Sequence, residues 1–328
     1  MQSTKTKKTI YLPASFVKTQ IRLNKLKESI LNDTAIVPWR DYLALCKPTI
    51  VALIIFTSAV GMLLAVPGAV PLDVFVLGNL GIGLAAASAA AVNQMVDQRV
   101  DAIMARTQNR PLPKGNVSID RALVFSLLLC VLSMWILVVY INMLTAVLTL
   151  VSLVGYGFVY SMYLKRATPQ NIVIGGASGA APPVLGWTAV TGTLDPHSLL
   201  LFIIIFAWTP PHFWALAICR RDEYEKAAIP MLPVTHGVEF TRLQILYYTI
   251  ILFLASLLPF VFMMSGGMYL FGAVMLGGIF LYYAIVMQRD HSDALAMKTF
   301  AYSIIYLMAL FAFLLADHYL RIFAGQFG

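Results

Sequence analysis

Nine long apolar runs, divided by short polar stretches, fill most of the chain: residues 49–66, 74–92, 122–141, 143–164, 171–190, 198–219, 243–264, 268–287 and 299–316. A helix that crosses a bilayer needs about 20 mostly apolar residues, so the pattern predicts nine transmembrane helices joined by short loops. The fifth and sixth runs are the least regular, since each carries a proline pair, Pro182-Pro183 and Pro210-Pro211. Proline removes a backbone donor and crowds the preceding turn. Both spans are therefore expected to be broken at these pairs, and broken helices at depth usually line a cavity.

Composition agrees with the pattern. Of 328 residues, 60% are hydrophobic and only 12% charged, too little charge to cover a soluble protein of this length. The fold class is all-α, a polytopic membrane protein. Charge then sets its orientation. Of 23 Lys and Arg, nine precede the first run, and thirteen fall in the loops after the second, fourth, sixth and eighth. Only Arg321 lies on the other side, and alternate loops such as PGAVPLD (67–73) hold none. Basic residues stay cytoplasmic, which puts the N-terminus and the charged loops in the cytoplasm and the C-terminus outside. The net charge of +8 is then a topology signal and gives no reason to expect nucleic acid as a partner.

The first 35 residues lack an apolar core with a small-residue cleavage site and are Lys-rich with a single Arg. They read as a cytoplasmic tail, with an amphipathic surface helix around 16–31, ahead of an intramembrane domain over 36–328. Cys46, Cys130 and Cys219 have spacings that suit neither zinc nor a disulfide framework and read as small packing residues.

Chemistry concentrates in two charged loops. The cytoplasmic segments after the second and sixth runs hold Asp97, Asp101, Asp120, Asp222, Glu223, Glu225 and Glu239, seven of the 15 acids. Acids do not set topology, so they need another cause. Asn93, Asp97 and Asp101 recur every four residues and share one helix face. Pro113 follows Asp101 by twelve residues and Pro233 follows Asp222 by eleven. This offset of about 120 residues suggests a faint repeat, runs two to five against six to nine.

Oxygen ligands at one-turn spacing suit a hard cation such as Mg²⁺, which is held by one or two carboxylates together with phosphate oxygens. Arg106, Arg110, Lys114, Lys165, Arg166, Arg220 and Arg221 supply the positive charge a diphosphate needs. Together these residues describe a metal–diphosphate clamp at a membrane surface, suited to ionising an allylic diphosphate. For the basic residues taken singly, helix termination and topology are equally good explanations.

The stretch NQMVDQRVDAIMARTQNRPLP (93–113) resembles the first aspartate-rich motif of the UbiA-type intramembrane prenyltransferases, N-x-x-x-D-x-x-x-D followed by R-T-x-x-R-P. DYLALCKPTI (41–50), LKRATPQNIVIGGASGAAPPVLGW (164–187), WTPPHFWALAI (208–218) and RRDEYEKAAIPMLPV (220–234) resemble the haem-farnesylating branch of that family, over about residues 36–320. The resemblance implies a nine-helix bundle in the bacterial inner membrane with its active site opening to the cytoplasm. It implies transfer of farnesyl from farnesyl diphosphate to a vinyl group of haem b, with haem A synthase or oxidase assembly as further partners. It makes Asn93, Asp97 and Asp101 the first metal–diphosphate motif and Asp222 part of the second. The wider family often has D-x-x-x-D there, where this chain has Asp222-x-x-x-Lys226, leaving Glu223 or Glu225 as the second acid or the second metal weakly held.

Within TPPHFW, His212 has two readings: it binds haem, through iron or a propionate, or it satisfies a carbonyl freed by the prolines. Trp214, with Trp187, Trp208 and Phe213, is a candidate to stack on porphyrin or shield a carbocation, though packing explains most such rings. His197, His236, His291 and His318 receive no role. Two other functions fit parts of the pattern: prenylation of another aromatic acceptor, and an ion- or proton-coupled transporter, which would need acids at mid-span depth.

Overall fold

The computed structural model describes residues 37–325. The expected tail, its surface helix and the domain boundary at residue 36 lie outside the described residues. Every regular element among them is helical. The helices are α1 (Trp39–Leu45), α2 (Pro48–Leu64), α3 (Leu72–Asp101), α4 (Ile119–Ile136) and α5 (Met143–Val154). They continue as α6 (Asn171–Ala180), α7 (Pro182–Thr191), α8 (Pro196–Cys219), α9 (Arg221–Lys226) and α10 (Leu232–Thr235). The chain closes with α11 (Val238–Val261), α12 (Gly267–Val286) and α13 (Asp293–Phe323).

Seven helical stretches are long and apolar enough to cross a membrane, and α1–α2, bent by 55°, makes an eighth if the pair is one span. The protein is thus a multi-pass helical membrane protein. The remaining expected run, 171–190, is present as two ten-residue helices that meet at Ala181, each too short to span alone. Here the Pro182-Pro183 pair divides the span as expected. At Pro210-Pro211 the expectation is corrected: α8 runs unbroken from Pro196 to Cys219. The surroundings explain the contrast. The halves of the divided span pack on different partners, α6 on α8 and α7 on α2, whereas α8 is held along its length by α11 and α13. Neighbouring helices make proline tolerable in a membrane helix in this way.

Close approach of α2 and α7 depends on glycine. A Cβ on Gly61 would strike the Pro183 carbonyl, and one on Gly186 would strike the Ser58 carbonyl. This is the small-residue packing that membrane helices use in place of a hydrophobic driving force. The main apolar core lies among α2, α7, α8, α11, α12 and α13, with Tyr269, Phe280, Tyr306 and Phe311 fully enclosed. By contrast α4 turns Leu127, Leu128 and Val131 outward, as a lipid-facing helix should.

Two stretches wind as π-helix: Leu137–Ile141, which ends α4, and the ten residues Gly155–Leu164, which continue α5 toward its last turn at Lys165–Ala167. Nothing in the apolar pattern marks them. The second feeds directly into the site, because wider winding turns Tyr156, Tyr160 and Ser161 toward α3 and α6.

Candidate active site

At 30 residues, α3 is about 45 Å long against a hydrocarbon core of about 30 Å. Its polar end therefore lies beyond the apolar run. Asn93, Asp97 and Asp101 share one face as the spacing predicts, yet all three are buried, at 3, 2 and 4% exposure. A buried carboxylate needs a partner, and each has one. Lys165, at the end of α5, donates to Asp97 Oδ2 at 2.6 Å, and Arg110, on the loop after α3, donates to Asp101 Oδ2 at 2.6 Å. Asn93 ties the row together. Its Nδ2 donates to Asp97 Oδ2 at 3.0 Å and to Ser161 Oγ at 2.9 Å, while its Oδ1 accepts from Lys47.

Sequence reasoning passed over Lys47. It lies between α1 and α2 in the left-handed region, φ 51° and ψ 64°, an uncommon conformation for a side-chain-bearing residue. Its ammonium interacts with Asp97, Asp101, Arg110 and Lys165 together. Its only signal in the sequence is its place before Pro48 in DYLALCKPTI. Gln94 was also missed: its Nε2 donates to the carbonyls of Ala44 and Leu45 at 2.8 and 3.0 Å, so α3 itself holds the α1 end that carries Lys47. Thr107 Oγ1, bonded to the Asp101 carbonyl at 3.0 Å, closes the turn that returns Arg110 to α3.

Tyr156 and Tyr160 stack with ring centroids 5.4 Å apart and planes 16° from parallel. Gly175 of α6 makes room for the Tyr160 ring, which any Cβ there would strike. Tyr160 lies within electrostatic reach of Asp97 of the first acidic segment and of Tyr224 of α9 and Arg106. Burial pushes the Tyr224 hydroxyl up, with Arg106 and Arg220 opposing and Glu223 assisting.

The second acidic segment is built differently. Asp222 is exposed on the six-residue α9, with Arg221 Nε 3.6 Å away; Arg221 itself forks onto Asp293 at 3.0 Å to each oxygen. Glu223 is the more protected acid: Arg220 donates to its Oε1 at 2.6 Å. Glu225 is exposed. Of the other basic residues, Arg166 reaches the Val96 carbonyl at 3.3 Å, and Arg106 and Lys114 stand exposed on the loop after α3. Thus Lys165 and Arg110 join the first acidic row directly, Arg106 lies within electrostatic reach of Tyr160 and Tyr224, and Arg220 belongs to the second segment.

No group of three His, Cys, Asp or Glu is drawn together as a metal cluster among the described residues. Two carboxylate oxygens are nevertheless buried without a partner among them, Asp97 Oδ1 and Glu223 Oε2. Hard, unsatisfied oxygens in these segments fit a hard cation that completes its shell with phosphate oxygens and water.

His212 lies midway along α8, buried at 8% exposure, between the near-parallel rings of Trp208 and Phe300. Its Nδ1 is bonded to Ser303 Oγ at 2.6 Å. Trp214 is fully enclosed, edge-on to Tyr248, with its Nε1 unpartnered among the described residues. The three cysteines are free thiols.

A long helical bundle with buried, cation-paired acids at one end of its central helix is the build of an intramembrane enzyme that handles a charged group. The UbiA prenyltransferase family matches residues 54–315, and the chain belongs to it. Among its relatives are protoheme IX farnesyltransferases from Nitrosococcus oceani, 62% identical over 87% of this chain and 96% of that protein, and from Methylococcus capsulatus, 60% identical over 87% and 95%. Solved structures show the same fold at low identity. A digeranylgeranylglyceryl phosphate synthase superposes with a TM-score of 0.74 at 17% identity, covering 86% of this chain and 98% of that one. A UbiA homolog from Archaeoglobus fulgidus bound to DMAPP and Mg²⁺ gives 0.57 at 18%, covering 84% and 99%.

Proposed function

We propose that the protein transfers the farnesyl group of farnesyl diphosphate to a vinyl group of haem b, with water adding at the same vinyl, to give haem O and diphosphate. The observation that carries this is the buried row Asn93–Asp97–Asp101 with Lys47, Lys165 and Arg110 around it. The name of the relatives, about 60% identical across nearly their whole length, narrows the acceptor to protohaem.

Farnesyl diphosphate ionises at its allylic C–O bond, so its leaving group must be held and neutralised as charge develops there. Asp97 and Asp101, with Asn93, are the residues on α3 that hold Mg²⁺, and Asp222 and Glu223 serve the same purpose on α9. Bound Mg²⁺ supplies Lewis-acid neutralisation of the diphosphate oxygens. Lys47, Lys165, Arg106 and Arg110 bind those oxygens directly, with Lys114, Arg166 and Arg220 at the rim. The pairs Lys165–Asp97 and Arg110–Asp101 hold these side chains in place, so the groups that meet the diphosphate are already arranged. The stacked Tyr156 and Tyr160 rings offer their faces to the allylic cation and exclude water from it. His212 binds the haem acceptor from α8, with Trp214 supporting that part of the helix from inside the core.

The same reading includes nine spans, counting α6–α7 as one, a cytoplasmic N-terminus and an active site open to the cytoplasm of a bacterial inner membrane. Its domain is residues 36–328, preceded by a tail over 1–35. Purified protein supplied with farnesyl diphosphate and Mg²⁺, and offered either haem b or an aromatic quinone precursor, tests the function. Haem b should gain the mass of a farnesyl group plus a hydroxyl, the remaining proton of the added water being released. A prenylated quinone precursor with unchanged haem would replace this reading with that of another aromatic acceptor.

A further inference from the structure

Phe213 stands edge-on to the His212 imidazole at 5.0 Å and 83°, and three further neighbours hold the ring. Trp208, one turn earlier on α8, lies 4.1 Å away ring to ring at 19°, and Phe300 of α13 lies 4.6 Å away at 28°. The third is Ser303, fully buried one turn beyond Phe300, whose Oγ is 2.6 Å from His212 Nδ1. Ser303 also accepts the Trp208 indole N–H on its backbone carbonyl at 2.8 Å, so one residue of α13 anchors both rings.

Proton counting fixes the tautomer. Ser303 Oγ lies 2.6 Å from the Phe300 carbonyl oxygen and donates to it. A carbonyl has no proton, so the single hydroxyl hydrogen of Ser303 is committed there. The bond between Ser303 Oγ and His212 Nδ1 is equally short and needs a proton of its own. That proton belongs to the imidazole. A neutral imidazole protonated on Nδ1 carries its lone pair on Nε2. Among the described residues Nε2 has no hydrogen-bond partner, while Trp208 and Phe300 stack on the imidazole and Phe213 stands edge-on to it at 5.0 Å.

We infer that Ser303 is a positioning residue: it locks His212 as the Nδ1–H tautomer and so presents the Nε2 lone pair to the iron of the haem acceptor. The tautomer follows from this chain alone, while ligation rests on the haem acceptor proposed above. The arrangement is the one by which a hydrogen-bonded partner on one ring nitrogen orients the other toward a metal. A freed carbonyl is not what His212 serves, because its bonded nitrogen faces a side-chain hydroxyl on another helix.

Nitrogen-15 spectra of histidine-labelled protein without haem separate the two parts, with the His212 signals identified by their loss in His212→Gln. Wild type should show Nδ1 protonated and Nε2 with the shift of an unprotonated nitrogen. Ser303→Thr, which keeps the hydroxyl, should preserve this pattern, and Ser303→Ala should shift it toward a mixture of tautomers. An Nε2–H tautomer in wild type, or no change in Ser303→Ala, would overturn the lock. Haem b is then titrated into the same samples by absorbance. Wild type and Ser303→Thr should give one ligand-field spectrum, and Ser303→Ala should bind about 10-fold more weakly or worse. An identical haem spectrum in wild type and His212→Gln would overturn the ligation. No haem uptake by any variant would overturn the acceptor reading itself, and the tautomer result would still stand on the nitrogen spectra.

Discussion

Asp97 and Asp101 close a 30-residue helix, are nearly inaccessible to solvent, and are each gripped by a basic side chain, Asp97 by Lys165 from the end of α5 and Asp101 by Arg110 from the following loop. Asp222, their counterpart about 120 residues on, sits on a six-residue helix with 78% of its side chain open. Both segments follow the most enclosed spans of the molecule: α3 and α8 are 61% and 67% buried, and the other five spans 28–39%. The second and sixth apolar runs thus form the two most enclosed of these spans, while their acidic ends are built differently. A buried ion pair is costly unless it is complete, so the first segment tolerates no loss of a partner. The second carries its most exposed acid, Asp222, on one short helix with Arg221 near it. On the proposed function, the first segment sets where diphosphate binds and the more exposed second segment contributes less.

That difference predicts a graded series of effects. Asp97→Asn preserves size and removes the charge that Lys165 and Asn93 share, and turnover should fall by at least about 10²–10³-fold. Size-exclusion profiles in detergent check that the variant remains folded. Stripping divalent cations with EDTA should abolish turnover of the wild type, and Mg²⁺ should restore it; full activity in EDTA would remove the metal from the account. Glu223→Gln should cost about 10–100-fold, as loss of a supporting ligand does, and Asp222→Asn should cost less than Glu223→Gln. The reverse order, measured as kcat/KM for farnesyl diphosphate, would make the exposed acid the principal one of its segment. The smallest effect is expected for Lys47→Gln, which keeps a donor toward Asn93 and loses the charge: KM for farnesyl diphosphate should rise while kcat changes little.

Much of this is legible in the sequence, for identifiable reasons. Apolar runs and the four-residue spacing of Asn93, Asp97 and Asp101 report local geometry, which tertiary contacts leave intact. Pairing was not legible. Nothing near Lys47 or Lys165 in the chain says that they meet on α3 from opposite directions, 46 and 68 residues away. The π-helical turns that bring Ser161 to Asn93 and stack Tyr156 on Tyr160 depend on how α5 packs, and hydropathy is blind to them. The proline pairs show the same limit. Two equal signals gave one divided span and one continuous helix, because the outcome is set by the neighbours of each.

Topology offers a check independent of chemistry. A reporter inserted near Asn116 should lie in the cytoplasm and one fused after Phe327 outside it; both on one side would make the span number even.

The most direct test of the central claim is product formation in membranes carrying either wild type or Asp97→Asn, supplied with haem b, farnesyl diphosphate and Mg²⁺ and resolved by chromatography. The account predicts haem O from the wild type and none above background from the variant. Equal haem O from both would contradict it, since the buried acid row would then have no part in releasing diphosphate.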